Sequence, residues 1–186
     1  MIGRTIGVIL VALLGAGCST QGLLQATMEP QDRQRFNALL ADEDALSAFL
    51  SNTTTRNWEP SHGTQINYLA PDGTAYLVYP GAMRTNLGRW RIEERGETAN
   101  ICFNYGPNSF NPVTGRRGGT WNCWSAAWVL VSDEIVEGDP LRLVAQDQRP
   151  YPQPLPREIS VSLTEVTQAL GYGPLRARNK TFDPDR

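Results

Sequence analysis

Few residues in this 186-residue chain have the type and spacing for chemistry. Its one histidine, His62, stands in Glu59-Pro60-Ser61-His62-Gly63. An imidazole there could act as a general base if a substrate proton came within hydrogen-bond reach. In so polar a turn a solvated ring is the plainer reading. Carboxylates cluster at Asp42-Glu43-Asp44 and Glu93-Glu94. Glycoside hydrolysis needs two acids about 5–10 Å apart across a cleft. These acids read instead as the first turn of a helix, where they suit the dipole, and as a strand exterior. No G-x-S-x-G elbow, H-E-x-x-H helix, phosphate-binding loop or dinucleotide fingerprint occurs. The aromatic residues point to binding. Trp90, Trp121, Trp124 and Trp128 are four of the five tryptophans, and the last three lie close together in sequence. Indoles can line a groove for a sugar or an apolar ligand, or they can fill a core. Trp90 and Trp124 are assigned to the core. Trp121 follows a Gly- and Arg-rich segment and is expected to be exposed. Trp121, Tyr105, Arg116 and Arg117 are therefore the candidate ligand-binding residues, with Phe110 beside them.

The N-terminus bears on where this chemistry would take place. Arg4, an apolar run over 5–17 and the small residues Gly15-Ala16-Gly17 have the order of a secretory signal. Cys18 follows directly, and the arrangement resembles the lipobox of bacterial lipoproteins, with Gly15 where that family prefers leucine. The resemblance implies cleavage before Cys18 and acylation of its thiol. It makes 1–17 a signal peptide and 18–28 a tether. The apolar run has thirteen residues, too few for a spanning helix of about twenty. The expected membrane partner is reached through lipid, each buried methylene contributing about 0.8 kcal/mol. Ser19, in place of the Asp that retains lipoproteins, implies the outer membrane, facing the periplasm.

Loss of residues 1–17 would leave 169 residues, a size that suits one domain. It would remove one arginine from a chain of net charge −2. That mild acidity gives no reason to expect nucleic-acid binding. With Cys18 acylated, Cys102 and Cys123 remain. They have neither a C-x-x-C spacing nor nearby histidines, so they make a poor metal site. In an oxidising compartment a disulfide is the expected outcome. No metal and no cofactor is expected.

The elements that must position these residues follow from periodicity. Pro30 suits a helix start. Phe36, Leu39 and Leu40, then Ala45, Leu46, Phe49 and Leu50 behind Asp42, predict one broken helix or two short ones over 30–51. From residue 64 the period becomes two. Gln65–Ala70 and Thr74–Tyr79 flank the turn Pro71-Asp72-Gly73. In Gly88–Glu94, Trp90 and Ile92 face one way. Ala99, Ile101, Phe103 and Tyr105 alternate with polar partners. Residues 106–119, with four Gly and two Pro, predict a long exposed loop. Thr120–Ser132 reads as an apolar β segment, and Leu141, Leu143 and Ala145 as a last strand. Residues 149–157 favour a polyproline path. Ser162-Leu-Thr-Glu165 matches a capping box, so a short helix is expected to about Leu170. The fold class is mainly β (α+β). About six antiparallel strands form a curved sheet or small barrel, with an N-terminal helix and a short C-terminal one. Residues 29–171 make a single β-rich domain, and 172–186 an irregular C-terminal tail.

Five short pieces occur in order: Leu50-Ser51-Asn52-Thr53, Tyr68-Leu69-Ala70-Pro71-Asp72-Gly73, Gly88-Arg89-Trp90-Arg91-Ile92, Ile101-Cys102-Phe103 and Asn122-Cys123-Trp124. On these, the stretch from about Leu46 to Leu143 resembles a domain-of-unknown-function family of small bacterial cell-envelope proteins. The long 106–119 loop departs from that family's more compact pattern. The resemblance supports the fold and the disulfide, and it transfers no catalytic residue. The leading expectation is a non-catalytic, lipid-anchored envelope domain that binds a partner or ligand on its loop side. An inhibitor of cell-wall hydrolases, by analogy of location and size, and an enzyme acting on envelope glycans are the alternatives.

Overall fold

The computed structural model describes residues 28–182, apart from 83, 97, 112–113 and 146–154. The signal peptide, Cys18 and the tether up to residue 27 lie outside the described residues, as does most of the 149–157 polyproline segment. Among the described residues two short helices come first, α1 (Pro30–Leu40) and α2 (Glu43–Leu50). Pro30 opens α1. The Asp42 carboxylate accepts the Ala45 N–H at 2.9 Å and caps α2. Each helix buries the stripe its spacing predicts, Phe36 and Leu40 from α1, Leu46 and Leu50 from α2.

Seven antiparallel strands follow among the described residues: β1 (Thr53–Glu59), β2 (Gly63–Leu69), β3 (Thr74–Val78), β4 (Asn86–Arg95), β5 (Thr98–Tyr105), β6 (Asn122–Ser125) and β7 (Glu134–Glu137). They form one curled sheet, a half-barrel, in the order β6-β5-β4-β3-β2-β1-β7. The fold is mainly β, with a single helical turn α3 (Ala127–Leu130) and the C-terminal helix α4 (Leu163–Ala169). The capping box forms as the sequence predicts, with Ser162 and Glu165 bonding reciprocally at the start of α4.

Both sheet faces are packed. Leu69, Ala75, Trp90, Ile92, Ala99 and Ile101 share one face and meet the α1 and α2 stripes. The Trp90 indole N–H donates to the Ala70 carbonyl at 2.9 Å, which satisfies its one polar group in the core. On the other face Ile66, Tyr68, Tyr76 and Val78 pack against Leu141, Leu143, Leu155, Leu163 and Val166.

Three segments differ from the sequence reading. β1 occupies residues read as a link between helix and sheet. Thr53, Thr54 and Thr55 are all buried there, so an apolar alternation was never available to reveal it. The segment 120–132 is not one strand. It pairs only over Asn122–Ser125, and then α3 buries Ala127, Val129 and Leu130 at helical spacing. No strand forms at Leu141–Ala145. There Asp139 accepts the N–H groups of Leu143 (2.9 Å) and Val144 (3.0 Å), and Arg142 turns to φ +53°. This tight turn sends both Leu141 and Leu143 inward without a ladder. Among the described residues the last strand is instead β7, whose outer edge is covered by the irregular C-terminal segment. Lys180 N–H donates to Ile135, Glu137 N–H donates to Arg178, and Phe182 is buried. Such cover removes an exposed pairing edge.

Candidate functional site

The α1 and α2 helices cover only part of their sheet face. Cross-strand register places the uncovered residues. Asn67 pairs with Leu77, Leu77 with Asn86, Gly88 with Tyr105, Phe103 with Asn122, and Ile101 with Trp124. Side chains two residues apart on a strand share a face. Gln65, Leu77, Asn86, Phe103, Tyr105 and Trp124 therefore lie on the face that carries the helix core, beyond its end. Together with residues 109–111, 114 and 116–118 they line a pocket of about 310 Å³. That is the lower range of small-molecule sites, about 300–1,000 Å³.

Residues 106–111 and 114–119 are stitched together as the two arms of a small hairpin, the 106–119 hairpin. Phe110 and Arg117 form a bridge, and Asn111 N–H donates to Arg116 at 2.9 Å. Gly118 N–H donates to Ser109 (3.0 Å) and Gly119 N–H to Tyr105 (2.7 Å). The Tyr79 hydroxyl reaches the Phe110 carbonyl at 3.3 Å, which ties the hairpin to the sheet side. A Cβ on Gly118 would lie 2.3 Å from the Gly106 carbonyl oxygen. Only glycine fits that closure.

Aromatic rings form the sheet side of the pocket. Trp124 stacks on Phe103 at 5.5 Å between centroids, and Phe103 stacks on Tyr105 at 5.9 Å. The Tyr105 hydroxyl donates to Asn67 Oδ1 at 3.0 Å. Burial pushes its phenol above the ordinary tyrosine range, so it stays a proton donor. The Tyr105 ring lies across Gly88, where an added Cβ would come 2.6 Å from its Cδ1. Gly88→Ala is expected to displace Tyr105 and to cost about 1–3 kcal/mol as overpacking. Urea unfolding with near-ultraviolet circular dichroism measures both effects. An unchanged aromatic spectrum would contradict the stated role of Gly88.

Of the candidate residues, Tyr105, Arg116 and Arg117 come together on this pocket. Trp121 does not. It is exposed on the opposite side of β6, with the Arg91 guanidinium 4.0 Å above its ring. Trp124, assigned to the core from sequence, is 42% exposed and lines the pocket instead. Trp90 is buried as assigned. Cys102 and Cys123 face each other across β5 and β6 and form a disulfide, with Cα atoms 4.0 Å apart. Glu93 lies beside the two sulfurs. A disulfide leaves neither sulfur as the thiolate a metal requires.

His62 also reaches the pocket, as does Arg157, which sequence reasoning missed. His62 sits in the β1–β2 turn. Arg157 arrives because Gly63 carries no side chain: a Cβ there would be 2.7 Å from the Arg157 Cα. Burial first, then the Arg157 charge, lowers the His62 pKa below 6.5. The His62 Nδ1 meets both Glu59 Oε1 and, at 3.2 Å, Ser61 Oγ. A nucleophilic relay needs hydroxyl and carboxylate on different ring nitrogens. This cluster holds the ring in place and does not activate Ser61. Among the described residues no aspartate or glutamate lines the pocket. Arg116, Arg117 and Arg157 make no ion pair among the described residues.

No family model, no curated protein and no solved structure matches the chain. No helix among the described residues is long and apolar enough to cross a membrane.

Proposed function

We propose that this is a non-catalytic binding domain of the bacterial cell envelope, held at the outer membrane by lipid on Cys18, with its ligand taken in the pocket under the 106–119 hairpin. One observation carries the binding part. Aromatic rings, side-chain amides and cationic side chains converge on a single pocket beyond the end of the helix core. Small-molecule sites have this make-up, a largely apolar wall with a few convergent polar groups. The lack of a lining carboxylate among the described residues favours binding over two-acid glycan hydrolysis. The tether and the address rest on the order of residues 1–19, as does the likeness to small envelope proteins on the motifs between Leu46 and Leu143.

The test uses the full chain made in a bacterium with its own N-terminus. Mass spectrometry of the N-terminal peptide is expected to find acyl chains on Cys18, and an unmodified thiol would overturn the anchor. Tryptophan fluorescence and calorimetry then follow titration with solubilised envelope fractions. A saturable response that Trp124→Ala loses is expected. No saturable response in any fraction would overturn the binding reading.

A further inference from the structure

The lining of the pocket says more than that something binds, and it narrows the chemistry of the ligand. Three groups of side chains have capacity that the fold does not use. Arg116, Arg117 and Arg157 are exposed and without an ion pair among the described residues. Arginine is the side chain best shaped to hold a carboxylate or phosphate through paired N–H donors. Gln65 and Asn86 project from the floor and make no side-chain hydrogen bond among the described residues. A free amide offers both donors and an acceptor, as a hydroxyl-rich ligand requires. Trp124 presents a partly exposed ring held by its stack on Phe103. Its face suits a flat ring or the C–H face of a pyranose.

We infer that the pocket binds an acidic sugar, a saccharide ring bearing a carboxylate or phosphate. The inference rests on the binding reading above and adds the ligand class. Each part of such a molecule finds a complement. The ring face meets Trp124, the hydroxyls meet Gln65 and Asn86, and the anion meets the arginines. A neutral sugar would leave the cations unanswered. An aromatic acid would leave the amides unanswered, and polar groups left unpaired in a site weigh against the ligand that fails to reach them. The pocket's absence of lining carboxylates among the described residues fits the same choice, since a like charge there would repel the anion.

The test is calorimetry of the full chain against matched pairs: galacturonate and galactose, N-acetylmuramic acid and N-acetylglucosamine, glucose 6-phosphate and glucose. Muramidase-solubilised wall fragments and lipopolysaccharide cores are run beside them, to separate polymer from free sugar as the source. In at least one pair the acidic member is expected to bind about tenfold or more tightly than the neutral one, the scale of one charge-assisted hydrogen bond. Its affinity should fall as salt is raised. Arg117→Ala and Arg157→Ala should each weaken it about tenfold without moving the melting temperature. Equal binding of acidic and neutral members would overturn the charge selection and leave the binding reading standing. Phenyl phosphate binding more tightly than every sugar would overturn the sugar assignment. Silence of all the sugars and fragments, beside a Trp124-dependent response to another envelope fraction, would overturn this inference alone.

Discussion

Replacing Arg56 with alanine should destabilise the protein by about 3–5 kcal/mol, the cost of breaking a buried ion pair by removing one partner. Arg56 lies on β1 and is 6% exposed. Its guanidinium is spread over three partners. One terminal nitrogen meets Asp133 Oδ2 at 2.8 Å, Nε donates to the Val161 carbonyl at 2.7 Å, and the other terminal nitrogen donates to Ser160. Glu134 is 3.7 Å away. Asp133 is about one-third exposed and keeps the Trp58 N–H, so water recovers part of its loss. That places the effect toward the lower end of the range. Val161 and Ser160 lose their donors, and with them the segment that carries Arg157 to the pocket loosens. Arg56→Lys should rescue less than half, because an ammonium cannot reproduce the planar fork. Urea unfolding gives the free energy. Hydrogen exchange over residues 155–170 should rise in the variant. A loss under about 1 kcal/mol would contradict the role given to Arg56.

Removing the disulfide with Cys102→Ala and Cys123→Ala comes next in size. The two residues are 21 apart. On chain-entropy grounds a loop of that length contributes about 3 kcal/mol, or about 6–12 °C in melting temperature for a domain of this size. The effect should fall on one element. β6 is a four-residue strand at the end of the sheet, paired only to β5 over residues 122–125. It carries Trp124 and Asn122 to the pocket. Loss of the staple should therefore reduce ligand binding as well as stability, and reductant should reproduce both effects in the unaltered chain. Calorimetric melting with and without reductant measures this. Unchanged melting would show that β6 is held by its packing alone.

Where the sequence is legible, local chemistry and tertiary placement agree. The 65–79 hairpin is announced by Pro71-Asp72-Gly73, and Gly73 does take a positive φ. The alternation from Trp90 to Tyr105 matches one buried face. Ser162 and Glu165 close a box that needs only four residues. The failures have physical causes. β1 buries threonines, since it lies between β2 and β7 in the sheet, so its core side carries no apolar signature. β7 is short and gains burial from a tail far along the chain. Leu141 and Leu143 mimic a strand, yet a side-chain-closed turn turns both inward.

The site was legible in part. Tyr105, Arg116 and Arg117 lie at or near the ends of one loop, and proximity in sequence suffices to group them. The exchange of Trp121 for Trp124 was decidable from parity. If Cys102 and Cys123 face each other, Trp124 must share the face of Ile101 and Phe103, and Trp121 must not. Arg157 carried no local signal, since its arrival depends on the bare backbone of Gly63.

The claim on which the functional account rests is that recognition occurs under the 106–119 hairpin. Nitrogen-15 NMR of the full chain, at saturation with whichever acidic saccharide binds most tightly, reads this directly. The indole of Trp124 and the guanidinium signals of Arg116, Arg117 and Arg157 should shift, while Trp90 and Trp121 hold still. Shifts centred on Trp121 and Trp128, with Trp124 unmoved, would place recognition on another face and contradict the account.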